Sequence, residues 1–174
     1  KALLAEAGYP DGEGFPTVTY NYPNNEQDKL IAQAIQAQLK SALNINVELN
    51  GMESQVCVSE RNAGNFDMTR HNWTADYDDA MDYLLMWTSS SGLNDAGIND
   101  PEYDALCAEA TAELDETKRN AIMHEAEALL VTEQAYVCPI ATNKTICLLN
   151  PKYTGYTFDS SGQILLKFIR AEEQ

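Results

Sequence analysis

The first 75 residues contain two short stretches of alternating apolar and polar positions, each followed by a stretch of helical period. Alternation at 18–22 and 45–49 predicts strands with one buried face, and 66–73 predicts a third strand. Apolar residues recur every three or four positions over 26–43, which predicts an amphipathic helix, and 53–62 predicts a shorter one. The order β-α-β-α-β favours a largely parallel sheet covered by helices.

The amino-acid composition of the chain changes after Trp73. Residues 74–101 are rich in Asp, Ser, Gly and Asn, and long loops of this kind often carry function. Asp100 and Pro101 are typical of a helix N-cap and first helical position. The remaining chain predicts helices at about 101–114 and 116–133, a strand hairpin at 136–142 and 145–149, and a β-prone aromatic tail at 153–169.

Composition excludes several classes of function. The chain has 174 residues, the size of one ordinary domain, and 44% are apolar, enough to bury a core. Its formal net charge of −16 gives no basic face for nucleic acid, so no nucleic-acid partner is expected. No stretch approaches the roughly 18 apolar residues of a membrane-spanning helix.

A cluster of acidic residues invites a metal or hydrolase interpretation; it comprises Asp76, Asp78, Asp79 and Asp82. An EF-hand loop beginning at Asp76 would need Gly at position 81 and Glu at position 87, which are Met81 and Trp87. An irregular calcium site and a paired-carboxylate hydrolase stay open as minor alternatives. His124-Glu125 begins a zinc-protease motif but lacks its second histidine.

A group of polar and aromatic residues follows the predicted third strand. Ligands of open α/β sheets bind beyond the carboxyl ends of strands. An aspartate there suits a cationic group, aromatic side chains give an apolar floor, and arginine suits a carboxylate. The group therefore suits a zwitterion such as a peptide; it comprises Arg70, His71, Trp73, Asp76 and Tyr77. In the alternative interpretation, Arg70 pairs with a neighbouring acid and Asp76 caps a helix.

Four cysteines have two predicted environments. Cys57 and Cys107 fall on apolar helix faces, where a thiol behaves as a small hydrophobe. Cys138 and Cys147 fall in the two strands of the predicted hairpin and could form a disulfide. Four buried thiols are the alternative.

Several segments, in order along the chain, resemble the family 5 bacterial extracellular solute-binding proteins, the oligopeptide- and dipeptide-binding group. The most specific is the W-x-x-D-Y motif from Trp73 to Tyr77, preceded by Phe66-Asp67-Met68. The other matching segments are 5–12, 43–47, 99–104, 126–130 and 137–140.

The resemblance implies an α/β fold, a lobe like those of type II periplasmic binding proteins, with a central mixed sheet and flanking helices. It implies that residues 1–174 form a single domain, the C-terminal lobe of a larger two-lobed protein. Such proteins are extracellular or periplasmic and associated with the cell envelope, and the parent protein is expected to be lipid-anchored.

The resemblance also implies roles for particular residues. Asp76 matches the aspartate that takes the α-ammonium group of a peptide, and Trp73 would wall the pocket. Arg70 and Arg61 match basic positions that in some members face the ligand. Ala80 stands where the family often has proline, and His71-Asn72 replaces small residues, so the ligand preference can differ from that of relatives.

The expected function is therefore capture of short peptides by closure of two lobes and delivery to ABC transporter permease subunits. The expected partners are a peptide, the permease and the missing N-terminal lobe; the protein is expected to be a monomer, without catalysis or cofactor. The alternatives are binding of a nickel complex or oligosaccharide, a sensor or adhesion lobe, and, last, a hydrolase using the acidic loop.

Overall fold

A computed structural model describes residues 1–144, 146–159 and 162–171. The chain divides into two compact units, Lys1–Asn72 and Trp73–Gln174. This division leaves the single-domain, C-terminal-lobe assignment of residues 1–174 as a prediction.

The first unit is built around a three-stranded parallel sheet with strand order β2-β1-β3. Its elements are α1 (Ala2–Glu6), a 3-10 turn (Pro10–Gly12), β1 (Val18–Pro23), α2 (Glu26–Leu43), β2 (Val47–Met52), α3 (Ser54–Asn62) and β3 (Met68–Thr69). The predicted β-α-β-α-β order and the α/β class are confirmed.

The long helix α2 has the predicted bounds because both of its ends are capped by asparagine. The Asn25 side chain accepts a hydrogen bond from the Asp28 N–H at 2.9 Å. Asn44 ends the helix in the left-handed conformation, with φ of 57°. The core of this unit consists of Tyr20, Tyr22, Ala32, Ile45 and Val47.

The third strand is shorter than predicted. Only Met68–Thr69 pair with β1, although the sequence predicts a strand over 66–73. The Arg70 N–H still donates to the Asn21 carbonyl at 2.9 Å, but no pairing follows it. Arg70 and His71 therefore follow the strand instead of lying within it.

The second unit is mainly helical. Its elements are α4 (Met81–Leu85), α5 (Pro101–Ala112), α6 (Glu116–Glu127), a π-helix that continues it (Ala128–Glu133), β4 (Tyr153–Thr154), a 3-10 turn (Leu166–Phe168) and β5 (Arg170–Ala171). The predicted N-cap is confirmed, since Asp100 accepts from the N–H groups of Glu102 and Tyr103. The fully buried Tyr103 hydroxyl donates to the Leu84 carbonyl at 2.8 Å, which ties α5 to α4.

The predicted hairpin near the C-terminus does not form. Residues 136–144 and 146–149 include no strand, and Thr145 lies outside the described residues. Leu148 is fully exposed, so the half-buried surface that favours a strand is missing there. Among the residues that the structure describes, antiparallel pairing is limited to β4 with β5 and a bridge between Phe158 and Ile164.

The same region holds the two cysteines of the proposed disulfide. Cys138 is exposed, Cys147 is partly buried, and both are free thiols in the structure. Cys138 and Cys147 therefore do not lie in facing strands, the arrangement on which the predicted disulfide depended. Cys57 and Cys107 are buried on their helices, and burial raises the pKa of both thiols.

Gly12 and Gly14 offer a matched test of backbone packing in the first unit. Both have positive φ, 77° and 75°, but a Cβ on Gly12 would lie 2.1 Å from the Leu43 carbonyl oxygen, whereas one on Gly14 meets nothing within 4 Å. We expect Gly14→Ala to cost roughly 1–2 kcal/mol of unfolding free energy from the left-handed backbone alone. Gly12→Ala adds a further loss of roughly 1–3 kcal/mol from overpacking. Urea unfolding of both variants measures this, and equal losses would contradict the close approach.

Candidate functional site

A buried carboxylate organises the loop that precedes α4. The Asp82 side chain is in the second unit and only 9% exposed. Its Oδ2 accepts the indole Nε1–H of Trp73 at 2.8 Å and the backbone N–H of Asp76 at 3.0 Å. The Trp73 ring is partly buried against the core of the same unit. One oxygen atom thus holds two residues of the W-x-x-D-Y motif.

Asp76 presents its own carboxylate to solvent. The residue is exposed, and within the described parts of the chain its side chain has no hydrogen bond or ion pair. The interpretation of Asp76 as a helix cap is wrong, since α4 begins at Met81 and its N-cap is Ala80. An exposed carboxylate on an anchored backbone is suited to bind a cationic group.

Tyr77 lies beside Asp76 and is 46% exposed. Partial burial raises its pKa, and the nearby carboxylates of Asp82 and Asp79 act in the same direction. The phenol therefore stays protonated and can donate a hydrogen bond at neutral pH.

Asp79 and Arg119 form a two-pronged ion pair that fixes the end of the loop. Arg119 Nη1 lies 2.8 Å from Asp79 Oδ2, and Nη2 donates to Oδ1 at 3.0 Å. The Arg119 Nε–H donates to the Ala110 carbonyl at 3.1 Å, which links the loop to the end of α5. The Arg119 guanidinium, followed by the Met81 N–H, lowers the pKa of Asp79.

The four acids of the cluster therefore have separate roles. Asp79 is bound by Arg119 and Asp82 is buried against N–H donors, whereas Asp76 and Asp78 are exposed. No group of three or more His, Cys, Asp or Glu side chains within 1–144, 146–159 and 162–171 is arranged to hold a metal ion.

Arg70 lies in the first unit and is bound to an acid of α2. Its Nε is 3.1 Å from Asp28 Oδ1, and both side chains are 17% exposed. The Arg70 Nη1–H also donates to the His71 carbonyl. This arrangement agrees with the alternative interpretation, in which Arg70 pairs with a neighbouring acid.

Arg61 supports the same turn from α3, since its Nη1–H donates to the Arg70 carbonyl at 3.3 Å. His71 and Arg61 are partly buried. Arg61, Arg70 and His71 thus belong to the first unit, whereas Trp73, Asp76 and Tyr77 belong to the second.

Sequence reasoning missed the importance of Asp82 and Arg119. Asp82 was one of four acids in the cluster between positions 76 and 82, and nothing in its spacing distinguished it as the buried one. Arg119 lies 40 residues from its partner, so only the tertiary structure shows the pair.

Comparison with known proteins identifies the family. Residues 1–95 match the model of the bacterial extracellular solute-binding proteins, family 5 Middle. The match covers more than half of the chain, and the chain belongs to this family.

Individual relatives extend the similarity over nearly the whole chain. The periplasmic murein peptide-binding protein MppA of Escherichia coli is 35% identical over 161 residues, 92% of this chain and 29% of MppA. The probable deoxycholate-binding periplasmic protein YgiS of Escherichia coli is 34% identical over 156 residues, 90% of this chain and 29% of YgiS. The chain therefore spans about three tenths of the length of these relatives.

A solved structure gives the same fold. Haemophilus influenzae OppA in complex with RPPGFSPFR superimposes with a TM-score of 0.83 and 30% identity, over 98% of this chain and 33% of that chain. Within the described residues, no helix is both long and apolar enough to cross a bilayer.

The Asp79–Arg119 pair predicts a pH-dependent contribution to stability. Because the folded-state pKa of Asp79 is lowered, the stabilisation is complete above the unfolded carboxyl pKa of about 3.9 and is lost as pH falls through the lower folded value. Arg119→Gln should lower the melting temperature at pH 7, and the difference from the unmodified protein should shrink as carboxyls protonate. Lys118→Gln removes the same charge from an exposed neighbour and is the control. A deficit that stays constant to pH 2 would argue against the pair.

Proposed function

We propose that this chain is the C-terminal lobe of a two-lobed solute-binding protein that captures short peptides and delivers them to the permease of an ABC transporter. The protein acts outside the cytoplasmic membrane, in the periplasm or at the cell surface, and requires no covalent chemistry. Membership of the solute-binding family supports binding rather than catalysis.

The observation that carries the proposal is the exposed Asp76 carboxylate on a loop fixed by Asp82. The Asp76 N–H is bound at 3.0 Å, so the backbone is held while the side chain stays available. A peptide α-ammonium group would form a charge-assisted hydrogen bond with it. Trp73, held by its indole N–H, would supply an apolar wall, and Tyr77 a hydroxyl donor.

The first unit carries basic residues that are proposed to contact a ligand. Arg70 is bound to Asp28, so a ligand carboxylate would have to share or displace that acid to reach its guanidinium. Arg61 and His71 support the turn at Arg70 and remain proposed ligand residues. Because the chain spans about three tenths of its relatives, the other lobe is expected to supply many ligand contacts.

The similarity to MppA and to OppA bound to a peptide favours a peptide ligand. The similarity to a probable deoxycholate-binding protein shows that the family similarity alone does not select the solute. Asp76 decides between them in this proposal, because an anionic solute gains nothing from an exposed carboxylate.

The test is calorimetric titration of the full-length protein with a pool of short peptides carrying free or acetylated N-termini. Asp76→Asn keeps the side-chain shape and removes the charge. A hydrogen bond to a charged group contributes about 1.5–3 kcal/mol, so we expect binding of free peptides to weaken about 10- to 150-fold. Acetylated peptides should bind weakly to both proteins, without the two losses adding, because both changes remove the same ion pair.

Asp78→Asn is the matched control, since it removes the same charge from an exposed residue two positions away. Its effect on affinity should be small because exposed charges are screened by salt. Equal effects of the two substitutions, or tight binding of acetylated peptides, would reject the ammonium role of Asp76. Binding of bile acids with no binding of any peptide would reject the peptide function.

A further inference from the structure

Stabilisation of its own helix does not explain the position of the Asp82 side chain. It lies in the first turn of α4, where an acid can stabilise the helix dipole. Its bound oxygen, however, accepts from the indole nine residues earlier and the backbone N–H six residues earlier. The carboxylate thus acts on the preceding loop.

Burial makes these two hydrogen bonds more consequential than surface contacts. A carboxylate with 9% exposure has lost most of its water and needs protein donors. If Asp82 were truncated, the Trp73 indole N–H and the Asp76 N–H would lose their common acceptor. Both residues would then be free to move independently.

We infer that Asp82 is a positioning residue of the solute site, which sets the place of the Trp73 ring relative to the Asp76 backbone through one shared oxygen atom. The inference rests on the proposed function for the effect on ligand affinity, but its structural part stands without a ligand. Asp82 itself does not contact the solute.

Because both donors share one oxygen atom, substitutions of Asp82 are expected to differ in the severity of their effects. Both donors bind Oδ2, so the single carbonyl oxygen of an asparagine can accept both. Asp82→Asn should therefore retain the loop, whereas Asp82→Ala removes the acceptor. A role of the negative charge alone would give the opposite result, with Asp82→Asn as harmful as Asp82→Ala.

The experiment uses the full-length protein with two readouts. The first is the indole ¹H–¹⁵N resonance of Trp73, assigned by its disappearance in Trp73→Phe. The second is peptide affinity by calorimetry. We expect Asp82→Ala to shift the Trp73 resonance and weaken binding at least about 10-fold, and Asp82→Asn to keep affinity within about threefold of the unmodified protein.

Asp104→Ala is the matched control in the same unit. Asp104 accepts hydrogen bonds from the backbone N–H and the hydroxyl of Ser89. Its loss therefore also leaves two donors without their acceptor, but outside the segment from Trp73 to α4. Affinity is compared at a temperature where all variants are folded by circular dichroism. Asp104→Ala should leave the Trp73 resonance and the affinity unchanged.

Three results would overturn the inference. They are an unchanged Trp73 resonance in Asp82→Ala, a loss of affinity no larger than that of Asp104→Ala, and a loss in Asp82→Asn equal to that in Asp82→Ala. If the unmodified protein binds no peptide, the proposed function fails, and the Trp73 resonance still decides whether Asp82 positions the loop. Should Asp82→Ala not fold, Trp73→Phe decides in its place, because it removes the indole donor and keeps an aromatic ring. Affinity should fall at least about 10-fold if this hydrogen bond positions the ring, and an affinity within about threefold of the unmodified protein would overturn the inference.

Discussion

A carboxylate that has lost its water must be surrounded by hydrogen-bond donors, and Asp82 meets this requirement with the two N–H groups of Trp73 and Asp76. The loop from Trp73 to α4 is therefore closed on itself by one oxygen atom. Trp73 can then pack on the core of its unit without leaving its indole N–H unsatisfied. The same closure holds the backbone of Asp76, whose side chain is exposed.

The sequence predicted the first unit well where local chemistry and periodicity agree. The apolar period of α2 ends at residues whose side chains or backbone cap the helix, so even its bounds, Glu26–Leu43, were predictable. The third strand and the C-terminal hairpin were overestimated for one reason. Alternation shows that a segment fits a half-buried pleated surface, but the surface itself is supplied by distant residues. Ile146 is 88% exposed, and nothing within the described residues buries it.

Prediction of the candidate site was limited in a similar way. The W-x-x-D-Y motif identified Trp73 and Asp76 because their chemical types and their spacing are local properties. The difference between Asp79 and Asp82 could not be predicted, since one depends on Arg119 in α6 and the other on which side of α4 faces the core. Arg70 shows the same dependence, because its partner Asp28 is 42 residues earlier. The sequence thus predicted which residue types lie at the candidate site. Only the fold shows which of them are exposed and which support the loop.

The division of the acids also bears on how the proposed site would select a cationic group in a chain with a net charge of −16. A diffuse negative surface attracts every cation and is screened within about 10 Å at ordinary salt, so it cannot provide specificity. In the loop, Arg119 cancels the charge of Asp79, and Asp82 is engaged by donors. In this loop the exposed negative charge is thereby restricted to Asp76 and Asp78. Of these two residues, only Asp76 has its backbone N–H bound to the buried carboxylate. Selectivity for an ammonium group would then arise from the fixed position of one carboxylate beside an aromatic wall, and not from the overall charge of the protein.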